Sequence, residues 1–184
     1  MKEKLRRLNR KTVVRGSALD FCEDEVLLPD GKKEKWDFVH HIRGGGACVV
    51  PVLPDGRILM VRQIRPAVGL EMLELPAGAR DVPEEEAALT AVRELREETG
   101  YTAGKLYHLA RVLTAPAYCD ETTDIFLAEE LEYAGEQHLD EAEDIRTEKY
   151  TLEELLGMIR RFEITDAKTV AGLYACAAER LKKA

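Results

Sequence analysis

The run "EEEAALTAVRELREET" at residues 84–99, closed by Gly100, constrains this chain more than any other feature. Glycine just past a helix C-terminus adopts left-handed backbone at no steric cost, and Asp81 with Glu84 three residues later offers a capping pair. The spacing therefore predicts a helix of about five turns between Asp81 and Gly100. At about 100° per residue, Ala88, Ala91, Val92 and Leu95 form one apolar stripe, while Glu94, Glu97 and Glu98 cluster in a separate arc centred roughly 120° away. Like charges three and four apart repel, so two readings stand: a solvated face whose glutamates pair with Arg93 and Arg96, or a site for a cation. Hard oxygen donors at this spacing suit Mg²⁺, which keeps several waters and binds through a few carboxylates together with substrate phosphates.

Around this helix the chain is rich in strand-length runs. Between residues 12 and 41, "TVVRGSALDF", "EVLLP" and "KWDFVHHI", punctuated by the turn "PDGKK", predict a small antiparallel appendage. The segment "RGGG" at 43–46 is a joint, which divides the chain into an N-terminal β appendage at 1–43 and a main domain at 44–184. "ACVVPVL" and "RILMVRQI", separated by "PDG", are expected to form a second hairpin, and "LYHLARVLTA" and "TTDIFLAEEL" two further strands. A helix is expected from Thr151, where "TLEE" supplies a capping box, and another through "TVAGLYACAAERLKK". Strands and helices mix without strict alternation, so the fold class is α+β, a mixed sheet covered by helices.

With 27 basic and 35 acidic side chains among 184 residues, the net charge of −8 argues against a nucleic-acid or anionic-membrane partner and suits a cation-dependent site. The basic opening "MKEKLRRLNRKTVVR" has no apolar core of a secretory signal, and no 18-residue apolar run is available to span a membrane, so a cytoplasmic protein is expected. Cys22, Cys48, Cys119 and Cys176 follow no metal-binding spacing and are expected to be reduced, mostly packed thiols.

"ELPAG" sets a proline and a glycine between an apolar run and the helix, which lets backbone approach a ligand beside the carboxylates. From here the stretch resembles the signature of the Nudix hydrolases: Gly78, Glu85, Arg93, Glu94, Leu95, Glu97, Glu98 and Gly100 fill it. Six residues rather than five separate Gly78 from Glu85, and Tyr101 stands where an aliphatic residue is usual. "VRQIRPAVGLEMLELPAG" and "APAYCDE" are similar to segments of the ADP-ribose pyrophosphatase branch.

The resemblance implies an α/β/α sandwich with an N-terminal appendage that helps build a homodimer. It further implies Mg²⁺, with Mn²⁺ as a substitute, held by Glu94, Glu97, Glu98, the Ala77 carbonyl and Glu143. Arg65 and Glu121 match substrate-recognition positions, and Trp36 on the appendage is a candidate to stack on adenine or to pack in the dimer core. In the acidic segment "LDEAEDI", Glu141 is the candidate general base, and Glu97 is a second catalytic candidate. The implied reaction is hydrolysis of the diphosphate of ADP-ribose to AMP and ribose 5-phosphate. Alternatives are the same hydrolysis on another nucleoside diphosphate sugar, such as GDP-mannose, or a catalytically silent nucleotide-sugar sensor; a purely structural dimer module leaves the acidic clusters unexplained.

Overall fold

The computed structural model describes residues 4–139 and 144–183. Three strands, β1 (Arg6–Val14), β2 (Leu19–Leu27) and β3 (Lys33–His41), form an antiparallel sheet in the order β1-β2-β3. It is the expected appendage, extended at its start because the basic opening is itself strand. After it come β4 (Gly45–Pro51), β5 (Ile58–Arg65), β6 (Leu70–Glu74), β7 (Ala77–Ala79), α1 (Ala87–Thr99), β8 (Tyr101–Leu113), β9 (Thr122–Tyr133), β10 (Arg146–Tyr150), α2 (Leu152–Arg160) and α3 (Ala167–Lys183). They build a mixed sheet in the order β7-β4-β9-β8, whose central pair is parallel, and a second antiparallel sheet in the order β10-β5-β6.

Strand alternation sorts the core into two layers. Ala47 and Val49 of β4, with Phe126 and Ala128 of β9, face Ala91 and Leu95 of α1. Cys48 and Val50, with Ile125 and Leu127, face Leu173 and Cys176 of α3, together with Met60 of the second sheet and Leu75 just after β6. Both faces of β4 and β9 are thus covered, which is why these strands read as nearly unbroken apolar runs. α2 starts as expected: Thr151 Oγ1 accepts from Glu154 N at 3.2 Å while the Glu154 carboxylate accepts from Thr151 N at 2.7 Å.

Two expectations are overturned. The "PDG" turn closes, with Leu53 N donating to Arg57 O at 2.8 Å, but only Val52 and Ile58 bridge across it. Both edges of β4 are already taken by β7 and β9, so its backbone groups have no place for β5, which pairs with β6 and β10. The helix also starts later than Asp81. The Glu85 carboxylate accepts from Asp81 N at 2.6 Å and closes a loop there, and α1 begins after Glu86, whose backbone is extended and whose side chain makes no cap. The predicted end is found: Gly100 has φ 75° and its N–H donates to Arg96 O.

Candidate active site

The carboxylates of α1 are not a separate solvated face. Val92, expected in the apolar stripe, is 40% exposed, whereas Glu94 and Glu98 are 8% and 3% exposed and lie on the buried side with Ala91 and Leu95. The buried face is therefore rotated by roughly 60° toward the glutamates. The reason is tertiary: β7 and the "LPAG" segment cover that side of the helix. Ala77 N donates to Glu98 Oε2 at 3.0 Å, and a Cβ built on Gly78 would fall 2.1 Å from Glu94 Cδ, so only glycine lets this backbone pass the carboxylate.

Arg93 organises the same corner. Its Nη1 donates to Glu94 Oε1 at 2.6 Å and to Glu97 Oε2 at 3.1 Å, its Nη2 donates to Ala79 O at 2.8 Å, and its Nε lies 3.4 Å from Asp81 and 3.7 Å from Glu85. Burial works to lower its pKa, but the surrounding carboxylates, Glu94 first, outweigh this and hold it above the ordinary guanidinium value. The expected pairing of the glutamates with Arg93 is found, on a buried face rather than a solvated one. Glu97 is half-buried and keeps its carboxylate toward Arg93.

The residues fit a hard divalent cation. Glu94 and Glu98 present oxygen donors from successive turns beside the Ala77–Gly78 backbone, where glycine leaves room. Among the described residues no three His, Cys, Asp or Glu side chains form a ready cage. Mg²⁺ does not require one, since it commonly takes one or two carboxylates and completes its shell with water and phosphate oxygens. Glu141 and Glu143 lie outside the described residues.

Ala77 and Gly78 open onto a cleft of about 780 Å³ that Arg65, Glu74, Glu121 and Lys168 also line. Arg65 and Glu121 are therefore brought together with the glycine loop. Glu121 accepts from Thr114 Oγ1 at 2.7 Å. Trp36 lies elsewhere in the chain: it borders a smaller cavity of about 260 Å³ with Arg10 and Phe38, and its Nε1 donates to Glu34 at 3.0 Å.

Glu74 and Lys168 escaped the sequence reading. Glu74 is 1% exposed and accepts from Arg65 Nε at 2.9 Å and Nη2 at 2.7 Å, together with Lys168 Nζ at 2.5 Å. Asp166 also accepts from Lys168 and caps α3 through Thr169 N at 3.0 Å. A glutamate flanked by leucines in a strand signals a buried charge that needs partners; Arg65 is nine residues away, but Lys168 is 94 residues away and has no local trace. Burial acts to raise the Glu74 pKa, yet Arg65 and Lys168 outweigh it and hold the value below the ordinary 4.5. Such a group contributes stability that is present above about pH 4.5 and is lost as the pH falls through its folded value. Glu74→Gln should therefore cost about 3 kcal/mol at neutral pH, and this deficit should shrink toward zero below pH 4.5. Urea denaturation across pH 3–7 checks it, and a deficit independent of pH would contradict the assignment.

The comparisons with known proteins agree with this geometry. The NUDIX domain model matches residues 42–173. An ADP-ribose pyrophosphatase of Bacillus subtilis is 38% identical over 186 residues, covering 98% of this chain and 97% of the relative. An ADP-ribose pyrophosphatase of Mycobacterium tuberculosis is 35% identical over 170 residues, covering 91% and 81%. A solved structure described as an ADP compounds hydrolase superposes with a TM-score of 0.83 at 22% identity, covering 100% of this chain and 97% of that one, and shares the fold. A glycine loop packed on two buried helix carboxylates, in a chain matched over most of its length, places this protein in the Nudix family as a pyrophosphohydrolase.

Proposed function

We propose that this chain hydrolyses ADP-ribose to AMP and ribose 5-phosphate with Mg²⁺, for which Mn²⁺ can substitute. The observation that carries this reading is the Glu94 and Glu98 pair buried against the Ala77–Gly78 backbone, which itself lines the cleft. The choice of ADP-ribose rests on the names of the two relatives. Glu94 and Glu98, with Glu97 and the Ala77 carbonyl, would hold the cation, which would supply neutralisation of diphosphate oxygens and a lowered pKa for water. Arg65, held by Glu74, and Glu121 orient the substrate in the cleft. Glu141 removes the proton of an oriented water as its oxygen bonds to phosphorus and the bridging P–O bond breaks, and Glu143 adds a metal contact.

A homodimer belongs to the same proposal. Val13, Val14, Leu19, Phe21 and Trp36 leave apolar surface exposed on the 1–43 appendage, and a second copy would cover it and bring Trp36 toward adenine or into a shared core. So does a cytoplasmic location: three of the four free cysteines are buried, and among the described residues no helix is long and apolar enough to cross a membrane.

Turnover of ADP-ribose should stop in excess chelator and return with Mg²⁺. Glu98→Gln should lower kcat by at least about 10²-fold while the protein stays folded, because the amide oxygen can still accept from Ala77 N. Full activity in chelator would refute the mechanism. Within the acidic segment, Glu141→Gln should lower kcat by roughly 10²-fold with no rescue by metal, whereas Glu143→Gln should require more Mg²⁺ and recover in excess. Exchanged phenotypes would shift the assignment by two residues. Light scattering should give twice the chain mass at micromolar concentration, and a fully active monomer would exclude the dimer.

A further inference from the structure

The segment between β8 and β9 carries three residues that line the cleft: Thr114, Tyr118 and Glu121. Its own bonds are few. Tyr118 N and Cys119 N both donate to Ala115 O, at 3.0 and 2.8 Å, and Thr114 N reaches Glu121 O at 3.3 Å. The rest of its backbone bonding is to the N-terminal sheet. Val39 N of β3 donates to Tyr118 O at 2.7 Å, Asp120 N donates to Val39 O at 3.4 Å, and Val39 and Cys119 form a parallel bridge. In hydrogen-bond terms, this recognition segment is an added edge of the appendage.

Asp120 joins the two. Its Oδ1 accepts from His41 N at 2.9 Å, and its Oδ2 accepts from Arg10 Nη1 at 2.9 Å and lies 2.8 Å from His40 Nδ1. Arg10 is in turn fixed on β1 by both oxygens of Asp24, a residue of β2 that is 1% exposed. One carboxylate therefore contacts β1 and β3 directly and β2 through Arg10, while its own backbone sits next to Glu121. Burial acts to raise its pKa, but the His41 N–H, His40 and Arg10 hold it down to about 2, so it is charged at neutral pH.

We propose that Asp120 is a positioning residue for substrate recognition, a clamp through which the N-terminal sheet sets the 114–121 segment, and with it Glu121 and Tyr118, against the cleft. The inference rests on reading that cleft as the substrate site. Asp120 does not line the cleft; it borders the smaller cavity of Trp36, where its carboxylate is engaged by Arg10, His40 and the His41 N–H, so its loss should act on the cleft through the placement of its neighbours. Short segments with few internal bonds open at low free energy once their anchor is removed.

Cys119 supplies an independent reading of the clamp, since Cys22, Cys48 and Cys176 are buried and an aromatic disulfide reagent reports Cys119 in the native protein. Asp120→Ala, shown to be folded by circular dichroism, should label at Cys119 about ten-fold faster than wild type. It should also raise KM for ADP-ribose about ten-fold with kcat changed less than about two-fold. Asp120→Asn should show smaller effects of both kinds, because its amide oxygen still accepts from His41 N. Wild-type labelling, a KM left unchanged despite faster labelling, or a fall in kcat without a rise in KM would each overturn the proposal. If Asp120→Ala does not fold, Asp120→Asn and His40→Ala carry the same two measurements. Should the wild-type protein not turn over ADP-ribose, the functional reading fails, while the labelling still decides whether the clamp exists.

Discussion

Mutual repulsion among the carboxylates of α1 is the constraint on which the candidate site depends, and Arg93 is the chain's own response to it. From one position it reaches Glu94, Glu97, Asp81, Glu85 and the Ala79 carbonyl. It thereby ties the helix to the loop that precedes it and keeps the glycine backbone on the buried carboxylates. Charges this close together are tolerable inside a protein only when paired, and an arginine can serve several carboxylates at once because its fork offers five donors. A divalent cation at Glu94 and Glu98 would meet a corner that is already assembled, so binding need not organise the site from a disordered loop.

The cleft is framed by long-range pairings. Arg65 comes from β5, Glu74 from β6 and Lys168 from α3, and the buried Glu74 carboxylate is where they meet. The Glu121 segment is anchored from the opposite direction, by the N-terminal sheet. Cleft-lining groups thus lie on segments whose positions are set by two separate bodies of structure. A wall built this way can be repositioned through residues that do not line it.

Much of the architecture is legible in the chain because it follows from local rules. The capping box at Thr151, the glycine stop at Gly100, the apolar runs of β4 and β9 and the turn at "PDG" all depend on neighbours in sequence. The later start of α1 was hidden because the Asp81 N–H is satisfied by Glu85, a side chain that the helical pattern assigns to the helix itself. The partnership of β4 with β9 rather than β5 was hidden because turn chemistry specifies a reversal of direction, not how far the two strands stay paired.

The sequence by itself determined the residue types at the site and their spacing: Gly78, Arg93 and the three glutamates, on a helix ending at Gly100. These follow from helical periodicity and from the chemistry of oxygen donors, neither of which needs a partner elsewhere in the chain. Tertiary structure alone decided which glutamates are buried, because periodicity ranks a helix's faces by composition, whereas burial depends on what packs against them. Here the covering element is the backbone of Ala77 and Gly78, and it brings Glu94 and Glu98 inside while leaving Val92 exposed.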